Sequence, residues 1–369
     1  MTPTVISIPL ALAPVVSVVI PTKSRDRTLA ALASVAGIAS CGIALETIVV
    51  VNGAPDVAHE LRDCTRGVRI VESRVNRGLP GAMNLGRASA VGEFVLMLHD
   101  DSLLSPEWLS VTLAAAREHP DAGVVAGTVL SPDGSLQGVG WLIFSDGITM
   151  PPWRGEPPPA SAFSVARRVD YASSSALLVR ASNWDAIGGL DERLYPGYYV
   201  DVDLAFATRR AGSCVLFVPG ATSHHVKGAS TELAFRTFVA ERNRPVFLAK
   251  WADDLAELPP PDTSLDLAQL IAAADQRPLR VGGVVPVHGS PFDDEWYEAT
   301  AATLAADYAR HLEEQRSADS AAQVVEPAAQ PTPRASMIRR LARRLVRARA
   351  SGRCRPSPPA NRSGGLCRR

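Results

Sequence analysis

Hydrophobic residues in the first third of the chain form short continuous runs, and most of these runs end in polar residues. The runs are rich in β-branched residues, which predicts strands buried on both faces of a sheet. They are Val15–Ile20, Thr47–Val51, Val68–Val71, Glu93–Leu98 and Ala122–Ala126. Segments with helical character, notably 29–36 and 79–90, lie between them. This alternation predicts an α/β fold with a mostly parallel central sheet flanked by helices.

Three polar loops follow the predicted strands, at Thr22–Arg27, Asn52–Asp56 and His99–Ser102. Ligands of parallel α/β sheets bind beyond the carboxyl ends of the strands. The sequence therefore predicts a functional site where these loops meet.

The second half of the chain has a different pattern, with turn signals and longer loops. Ser131–Gly134 predicts a turn between extended segments. Tyr171–Arg180 and Val215–Val218 predict further strands, and Leu233–Trp251 has helical periodicity. Residues 257–318 form a C-terminal extension that is partly helical in pattern.

The net charge of zero is an average over two unlike parts. The chain has 38 basic and 38 acidic residues, but twelve arginines and no acids lie from Arg334 onward, which leaves 26 basic against 38 acidic residues before the tail. Residues 319–369 are interpreted as a linker followed by a basic tail. Apolar residues at helical spacing in the tail fit an amphipathic helix on an anionic membrane, whereas the arginine-rich composition alone fits a disordered tail. No nucleic-acid partner is expected, because no aromatic residues are interleaved.

Cysteine usage and hydropathy indicate a cytoplasmic protein. The five cysteines are odd in number and form no C-x-x-C motif, which favours reduced thiols. The apolar stretch Val5–Pro21 is broken by Pro9 and Pro14 and lacks the charged start of a signal peptide, so no targeting or membrane-spanning segment is predicted. If the tail binds lipid, we expect the protein on the inner face of the cell membrane.

Three groups of residues could carry chemistry. His99, Asp100 and Asp101 follow a buried strand, where two carboxylates suit Mg²⁺ or Mn²⁺ with substrate phosphates, or form a solvated loop. Asp201 and Asp203 offer a general base, or one helix cap and one buried structural acid. The pair His224-His225 ends a strand and is either a metal ligand or structural.

The glycines of Asn76–Gly86 form neither a dinucleotide fingerprint nor a phosphate loop. They permit close approach of the backbone to a nucleotide or to a neighbouring strand. The order of all these motifs is more specific than any one of them. The series is Val-Val-Ile-Pro-Thr, Val-Asn-Gly, two copies of Asn-x-Gly, an acidic pair, Gly-Gly-Leu-Asp-Glu, Asp-Val-Asp-Leu, Arg-Arg-Ala-Gly and His-His-x-x-Gly-Ala-Ser.

This series resembles the family 2 glycosyltransferases over residues 15–251, particularly the rhamnosyltransferase-like branch that builds bacterial surface polysaccharides. The resemblance implies an A-type glycosyltransferase fold. After a leader at 1–14, it places a nucleotide-sugar-binding half at 15–126 and an acceptor-binding half at 127–256 of the same catalytic domain. It also implies a nucleotide diphosphate sugar as donor and a glycan or lipid-linked molecule as acceptor.

The resemblance also implies roles for individual residues. Asp201 matches the catalytic base, while Asp101 and His225 match the ligands of Mg²⁺ or Mn²⁺. The residues expected to contact the nucleotide sugar are Pro21, Thr22, Arg25, Asn52, Asn84 and Asp100. A carboxylate would take the proton of the acceptor hydroxyl during attack, and the cation would offset charge on the leaving diphosphate, with inversion at the anomeric carbon.

Two departures from the family pattern keep other functions open. Val200 replaces a Glu beside the base, and Val51 stands where many relatives carry an Asp that reads the nucleobase. These departures motivate the alternative of an inactive scaffold. A sugar-nucleotide nucleotidyltransferase is a weaker alternative, because Pro21–Thr28 lacks the glycines of a triphosphate-binding loop.

Overall fold

The computed structural model of the protein describes residues 5–39, 41–152, 164–226, 232–280 and 292–325, the last range with side chains to residue 318. Within these ranges the strands are β1 (Ile6–Ser7), β2 (Val16–Thr22), β3 (Leu45–Asn52), β4 (Thr65–Arg66), β5 (Val68–Ser73), β6 (Phe94–Leu98), β7 (Ser102–Leu104), β8 (Ala122–Leu130), β9 (Leu136–Gly138), β10 (Leu142–Ile143), β11 (Thr149–Met150), β12 (Arg167–Arg168), β13 (Ala176–Arg180) and β14 (Cys214–His225). The helices are α1 (Arg25–Ala39), α2 (Pro55–Cys64), α3 (Gly78–Ala88), α4 (Trp108–Glu118), α5 (Ala181–Ala186), α6 (Val200–Arg210), α7 (Leu233–Lys250), α8 (Ala252–Leu255), α9 (Leu267–Asp275) and α10 (Asp294–Val325).

The central sheet has the strand order β12-β14-β8-β13-β6-β2-β3-β5. Its first half is parallel, since β2 pairs in parallel with both β3 and β6, and β3 pairs in parallel with β5. The second half is mixed, because β13 runs antiparallel to both β6 and β8, whereas β14 is parallel to β8. The predicted α/β fold is confirmed.

Both faces of the sheet are buried, as the continuous apolar runs predict. Side chains alternate between the faces of a strand, so Val18 and Val19 belong to different core clusters. Val19 packs with Met83 of α3, whereas Val18 packs with Leu32 of α1. Helices thus cover both faces and leave the carboxyl ends of the strands open.

A glycine in α3 permits the close contact between that helix and the sheet. A Cβ atom on Gly86 would lie 2.3 Å from Cγ1 of Val19 and 3.0 Å from Cγ2 of Val50. Of the two uses considered for the glycines of this segment, Gly86 therefore serves the approach to neighbouring strands.

The structure changes three of the predicted segments. The strand predicted at Tyr171–Arg180 begins only at Ala176, because the residues before it form a loop that contacts another helix. Part of the predicted leader, Ile6–Ser7, pairs with β4. The predicted linker from 319 is helical at its start, because α10 continues to Val325. The basic tail lies outside the described residues.

The described residues up to Tyr308 belong to one compact unit, and those from Ala309 belong to a second. Among the described helices, none combines the length and the apolar character that crossing a membrane requires. Cys41, Cys64 and Cys214 are free thiols.

Candidate active site

A cleft of about 750 Å³ lies at the carboxyl ends of the parallel strands. The three loops predicted to form the site all contribute to its lining, through Thr22 at the end of β2, Asn52 at the end of β3 and His99 after β6. Asp201 and His225, which come from the second half of the chain, line the same cleft. The fold therefore brings together motifs that are separated by up to two hundred residues in sequence.

Pairing between β14 and β7 places His225 beside the acidic loop. His225 lies opposite Ser102 in this antiparallel pair, and the Val226 amide donates to the Asp101 carbonyl at 3.1 Å. His225 Nε2 then lies 3.4 Å from Asp101 Oδ1, and His99 Nδ1 lies 3.9 Å from the same oxygen. One ligand atom from each of these three residues lies within 4.8 Å of the others.

This cluster holds polar atoms that fit a metal ligand set. The buried atoms Asp101 Oδ1 and His99 Nε2 have no hydrogen-bond partner in the described part of the chain. Burial lowers the pKa of His99 to about 4, against the opposing effect of Asp101, so its ring is neutral at pH 7. Burial also acts to raise the pKa of Asp101, but the His225 and His99 rings and Arg27 outweigh burial and lower it, which favours a carboxylate.

Gln137 orients the His225 ring. Its Nε2 donates to the His225 carbonyl at 2.6 Å, and its Oε1 lies 3.1 Å from His225 Nδ1. With a proton on Nδ1 donated to Gln137, Nε2 presents a lone pair toward Asp101, as metal-binding histidines require. The sequence pattern does not point to Gln137, because it lies in β9, far from any of the motifs.

Asp100 turns away from Asp101 and joins the first loop. Thr22 Oγ1 donates to Asp100 Oδ2 at 2.7 Å, and Arg27 Nε donates to the same oxygen at 3.3 Å. Burial raises the pKa of Asp100, while these two bonds oppose the rise. The adjacent acids therefore have separate surroundings: Asp100 connects the ends of β2 and β6, and Asp101 faces the histidines.

The two acids of α6 also differ in environment. Since residues two apart on a helix point about 200° from each other, Asp201 faces the cleft and Asp203 faces the interior. Burial raises the pKa of Asp201 to about 6, although the Ser174 and Val202 amides donate to its carboxylate and oppose the rise. A carboxylate with this pKa can accept a proton near neutral pH.

Asp203 belongs to a buried ionic network. Lys250 Nζ donates to Asp203 Oδ2 at 2.9 Å and to Asp191 Oδ2 at 3.0 Å, and Trp251 Nε1 donates to Asp203 Oδ1 at 2.7 Å. All the members are nearly fully buried. The network fixes the first turn of α6 against the C-terminal part of α7, and thereby the position of Asp201.

The backbone just before α6 is held in an uncommon conformation. Tyr198 and Tyr199 have φ values of 65° and 64°, in the left-handed region that residues other than glycine rarely occupy. The fully buried Asn243 donates from Nδ2 to the carbonyls of Leu194 at 2.9 Å and Gly197 at 2.7 Å. This side chain of α7 shapes the loop that leads to Asp201, and it carries no signal that single-sequence reasoning would select.

The residues predicted to contact the nucleotide sugar divide into two groups. Pro21, Thr22, Asn52 and Asp100 line the cleft. Arg25 does not line it, and Arg27 of the same helix takes that place beside Asp100.

Asn52 and Asn84 have structural partners. Asn52 Nδ2 donates to Gly78 O at 3.0 Å, and its Oδ1 accepts from the Arg77 amide at 2.7 Å, so Asn52 shapes the loop before α3. Asn84 lies outside the cleft lining, where its Nδ2 donates to the Leu190 carbonyl and to Glu192 Oε1. The Asn84 amide therefore has partners within the protein, and its contact with the nucleotide stays a prediction.

The two residues that depart from the family pattern, Val200 and Val51, differ in their position relative to the cleft. Val200 is buried and lines the cleft beside Asp201, whereas Val51 is buried in β3 and does not line it. His224 does not line the cleft either, because successive residues of a strand point to opposite faces. Of the histidine pair, only His225 can join the cluster with Asp101.

The fold and the site together define an α/β protein with a buried carboxylate of raised pKa and a candidate metal site in one cleft. Residues 17–155 match the sequence model for "Glycosyl transferase family 2". Over these residues the chain is therefore similar to the family 2 glycosyltransferases.

Two similar proteins extend the comparison by sequence. An uncharacterised protein of Sinorhizobium fredii is 28% identical over 233 residues, which cover 60% of this chain and 25% of that protein. The N-acetylglucosaminyl-diphospho-decaprenol L-rhamnosyltransferase of Mycobacterium tuberculosis is 28% identical over 186 residues, which cover 44% of this chain and 60% of that protein. The chain thus spans less than two thirds of the length of either relative.

Among solved structures, the mannosyltransferase PcManGT from Pyrobaculum calidifontis, in complex with GDP-Man and Mn²⁺, superposes with a TM-score of 0.44 at 15% identity. The match covers 92% of this chain and 83% of that one.

Proposed function

We propose that the protein is an inverting, metal-dependent glycosyltransferase that moves a sugar from a nucleotide diphosphate sugar to a hydroxyl of a glycan or lipid-linked acceptor. The observation that carries this proposal is the joint presence, in one cleft, of the Asp201 carboxylate and the His99, Asp101 and His225 cluster. The family match of residues 17–155 supports the same reaction class.

Asp201 acts as the general base. An acceptor hydroxyl is a weak nucleophile at neutral pH, and a positioned carboxylate removes its proton as it attacks the anomeric carbon. The pKa of about 6 leaves Asp201 ionised at pH 7 while keeping it basic enough to accept that proton. Attack from the face opposite the leaving diphosphate inverts the anomeric centre.

His99, Asp101 and His225 would hold the divalent cation. The orphaned atoms of His99 and Asp101 and the mixed nitrogen and oxygen donors of the three residues fit Mn²⁺, and they fit Mg²⁺ less well because Mg²⁺ prefers oxygen ligands. When bound, such a cation offsets the negative charge that develops on the leaving diphosphate. His99 therefore joins the two ligands expected from the sequence.

The donor and acceptor assignments draw on the relatives. The Mycobacterium tuberculosis relative is named for rhamnosyl transfer to a decaprenol-linked sugar. By analogy, we place this protein in the synthesis of a cell-surface polysaccharide or glycoconjugate, in the cytoplasm at the inner face of the membrane. The arginine-rich tail would supply the membrane contact, and deletion of residues 334–369 should then reduce sedimentation with anionic vesicles.

A donor screen tests the proposed function. The purified protein, with Mn²⁺ or Mg²⁺ and an acceptor extract, should release nucleoside diphosphate from one member of a panel of nucleotide sugars, with thymidine- and uridine-linked donors tested first. The Asp201→Asn variant should lose this release, whereas the Asp185→Asn variant, which changes an exposed acid on α5, should keep it. Equal release by wild type and Asp201→Asn, with both folded, would refute the proposal and favour the inactive scaffold.

A further inference from the structure

The C-terminal helix α10 forms part of the wall of the cleft. Ala301, Leu304 and Ala305 of α10 line the same cleft as Asp201. This helix lies far beyond the residues that match the family, 17–155. The family match therefore does not account for this part of the site.

Specific contacts attach the start of α10 to the catalytic domain. The Tyr297 hydroxyl donates to the buried carboxylate of Glu192, and Arg77 Nη2 donates to Asp294 Oδ1 at 2.6 Å. The Arg77 guanidinium also lies 4.9 Å from the centroid of the Tyr297 ring. A Cβ atom on Gly81 would lie 2.3 Å from the Tyr297 hydroxyl, so this glycine of α3 leaves the space that α10 needs.

The wall that α10 shares with α7 is apolar. Tyr195, Tyr198, Phe235, Ala301 and Leu304 belong to one hydrophobic cluster, and all five also line the cleft. These apolar side chains face the cleft close to the groups proposed to react. Such a surface can bind an apolar part of a substrate. Apart from the aromatic face of its base, a nucleotide sugar offers little such surface.

One arginine of α7 accompanies this apolar wall. Arg236 follows Phe235 directly and also lines the cleft. Its Nε is buried and has no hydrogen-bond partner among the residues described. Arg27, by contrast, is bound to Asp100. A guanidinium with donors to spare matches a phosphate group in charge and geometry.

We propose that this wall, formed by α7, α10 and the loop before α6, is the subsite for the lipid phosphate part of the acceptor. Arg236 binds a phosphate oxygen, and the cluster of Tyr195, Tyr198, Phe235, Ala301 and Leu304 holds the adjoining hydrocarbon chain. A cation beside an apolar surface selects a ligand that carries an anion and a hydrocarbon chain together. The assignment rests on the proposed function, whose acceptor class it narrows to lipid phosphates.

Binding measured without donor or turnover tests the subsite separately from catalysis. Titration calorimetry on the full chain would use decyl phosphate below its micelle concentration, with inorganic phosphate and decyl glucoside as probes of the head and the chain alone. Decyl phosphate should bind more tightly than either of these. Arg236→Gln should weaken its binding by about tenfold or more.

A matched pair of variants on α10 tests the apolar wall. Ala305 lines the cleft, whereas the neighbouring Ala306 is exposed and does not. Ala305→Glu should weaken the binding of decyl phosphate at least tenfold, and Ala306→Glu should leave it unchanged. Both positions are exposed, so neither change should prevent folding.

Two results of the binding measurements would overturn the assignment. One is unchanged decyl phosphate binding in Arg236→Gln or in Ala305→Glu. The other is an Arg236→Gln variant that loses affinity only for nucleoside diphosphate, which would assign Arg236 to the donor site. Sugar transfer to an acceptor without lipid, by a protein that binds no decyl phosphate, would refute the subsite and leave the proposed function intact.

Discussion

The environment of Asp201 predicts that Asp201→Asn removes activity and changes how stability depends on pH. Asparagine keeps the size of the side chain but cannot accept a proton. Loss of a general base lowers the rate by about 10²–10⁴-fold. Because the pKa of Asp201 is about 6, the activity of the wild-type protein should fall below that pH. At pH 5 about one tenth of the carboxyl groups are ionised, so kcat/KM should be roughly tenfold below its plateau.

The same raised pKa has a stability consequence of definite sign. The folded protein binds the Asp201 proton more tightly than the unfolded chain, whose pKa is 3.8. This contribution favours the folded state at low pH and is lost as the pH rises from about 4 through 6. Between pH 4.5 and 7 the loss amounts to roughly 2 kcal/mol. This is an upper bound, because the carboxyl group lines an open cleft.

Urea denaturation of wild type and Asp201→Asn at several pH values measures this contribution. Stability of the wild type relative to the variant should decrease from pH 4.5 to 7. A hydrogen bond that asparagine fails to make would lower the variant's free energy of unfolding by the same amount at each pH. It would not change how the difference between the two proteins depends on pH. Parallel stability curves, or an activity limb near pH 4, would refute the role given to burial of Asp201.

Three further predictions concern the surroundings of the base. His99→Ala should weaken Mn²⁺ binding at least tenfold by calorimetry, and unchanged Mn²⁺ affinity in this variant would exclude His99 as a ligand. The wild type should bind Mn²⁺ more tightly than Mg²⁺, since imidazole is a poor ligand for Mg²⁺. Lys250→Met leaves two buried carboxylates without their ammonium partner and should lower the free energy of unfolding, measured with urea, by about 3–5 kcal/mol. As a control, replacing an exposed arginine by methionine should change the free energy of unfolding little. Tyr297→Phe removes a donor to the buried Glu192 and should cost about 1–3 kcal/mol; a loss below the precision of the measurement would contradict the attachment of α10 described above.

Local patterns predicted the first half of the fold well. The apolar run Val15–Ile20 and the runs after it predict strands because both faces of a parallel sheet are buried, and this requirement is visible along the chain. The loops at Thr22 and His99 line one cleft, as expected from the rule that parallel strands bring their carboxyl ends to one edge. The periodicity of Leu233–Trp251 likewise predicted α7 to within a residue.

Other features could be settled only by contacts between distant segments. Whether Asp201 or Asp203 faces the cleft depends on where α6 begins and on Lys250, which lies 47 residues further along the chain. Asn52 and Asn84 both hydrogen-bond within the protein, but only Asn52 lines the cleft, whereas Asn84 donates to Glu192.

By itself, the sequence of this protein determined the α/β class, the family resemblance and the order of the loops that meet in the cleft, since each depends on residues close together in the chain. The tertiary structure decided which polar side chains lie in the cleft and which are already hydrogen-bonded in the interior. It also placed Gln137 behind His225 and α10 along the cleft. The physical reason is that hydrogen bonding and burial depend on neighbours in space, and hydrophobic periodicity carries no record of which distant segments will supply them.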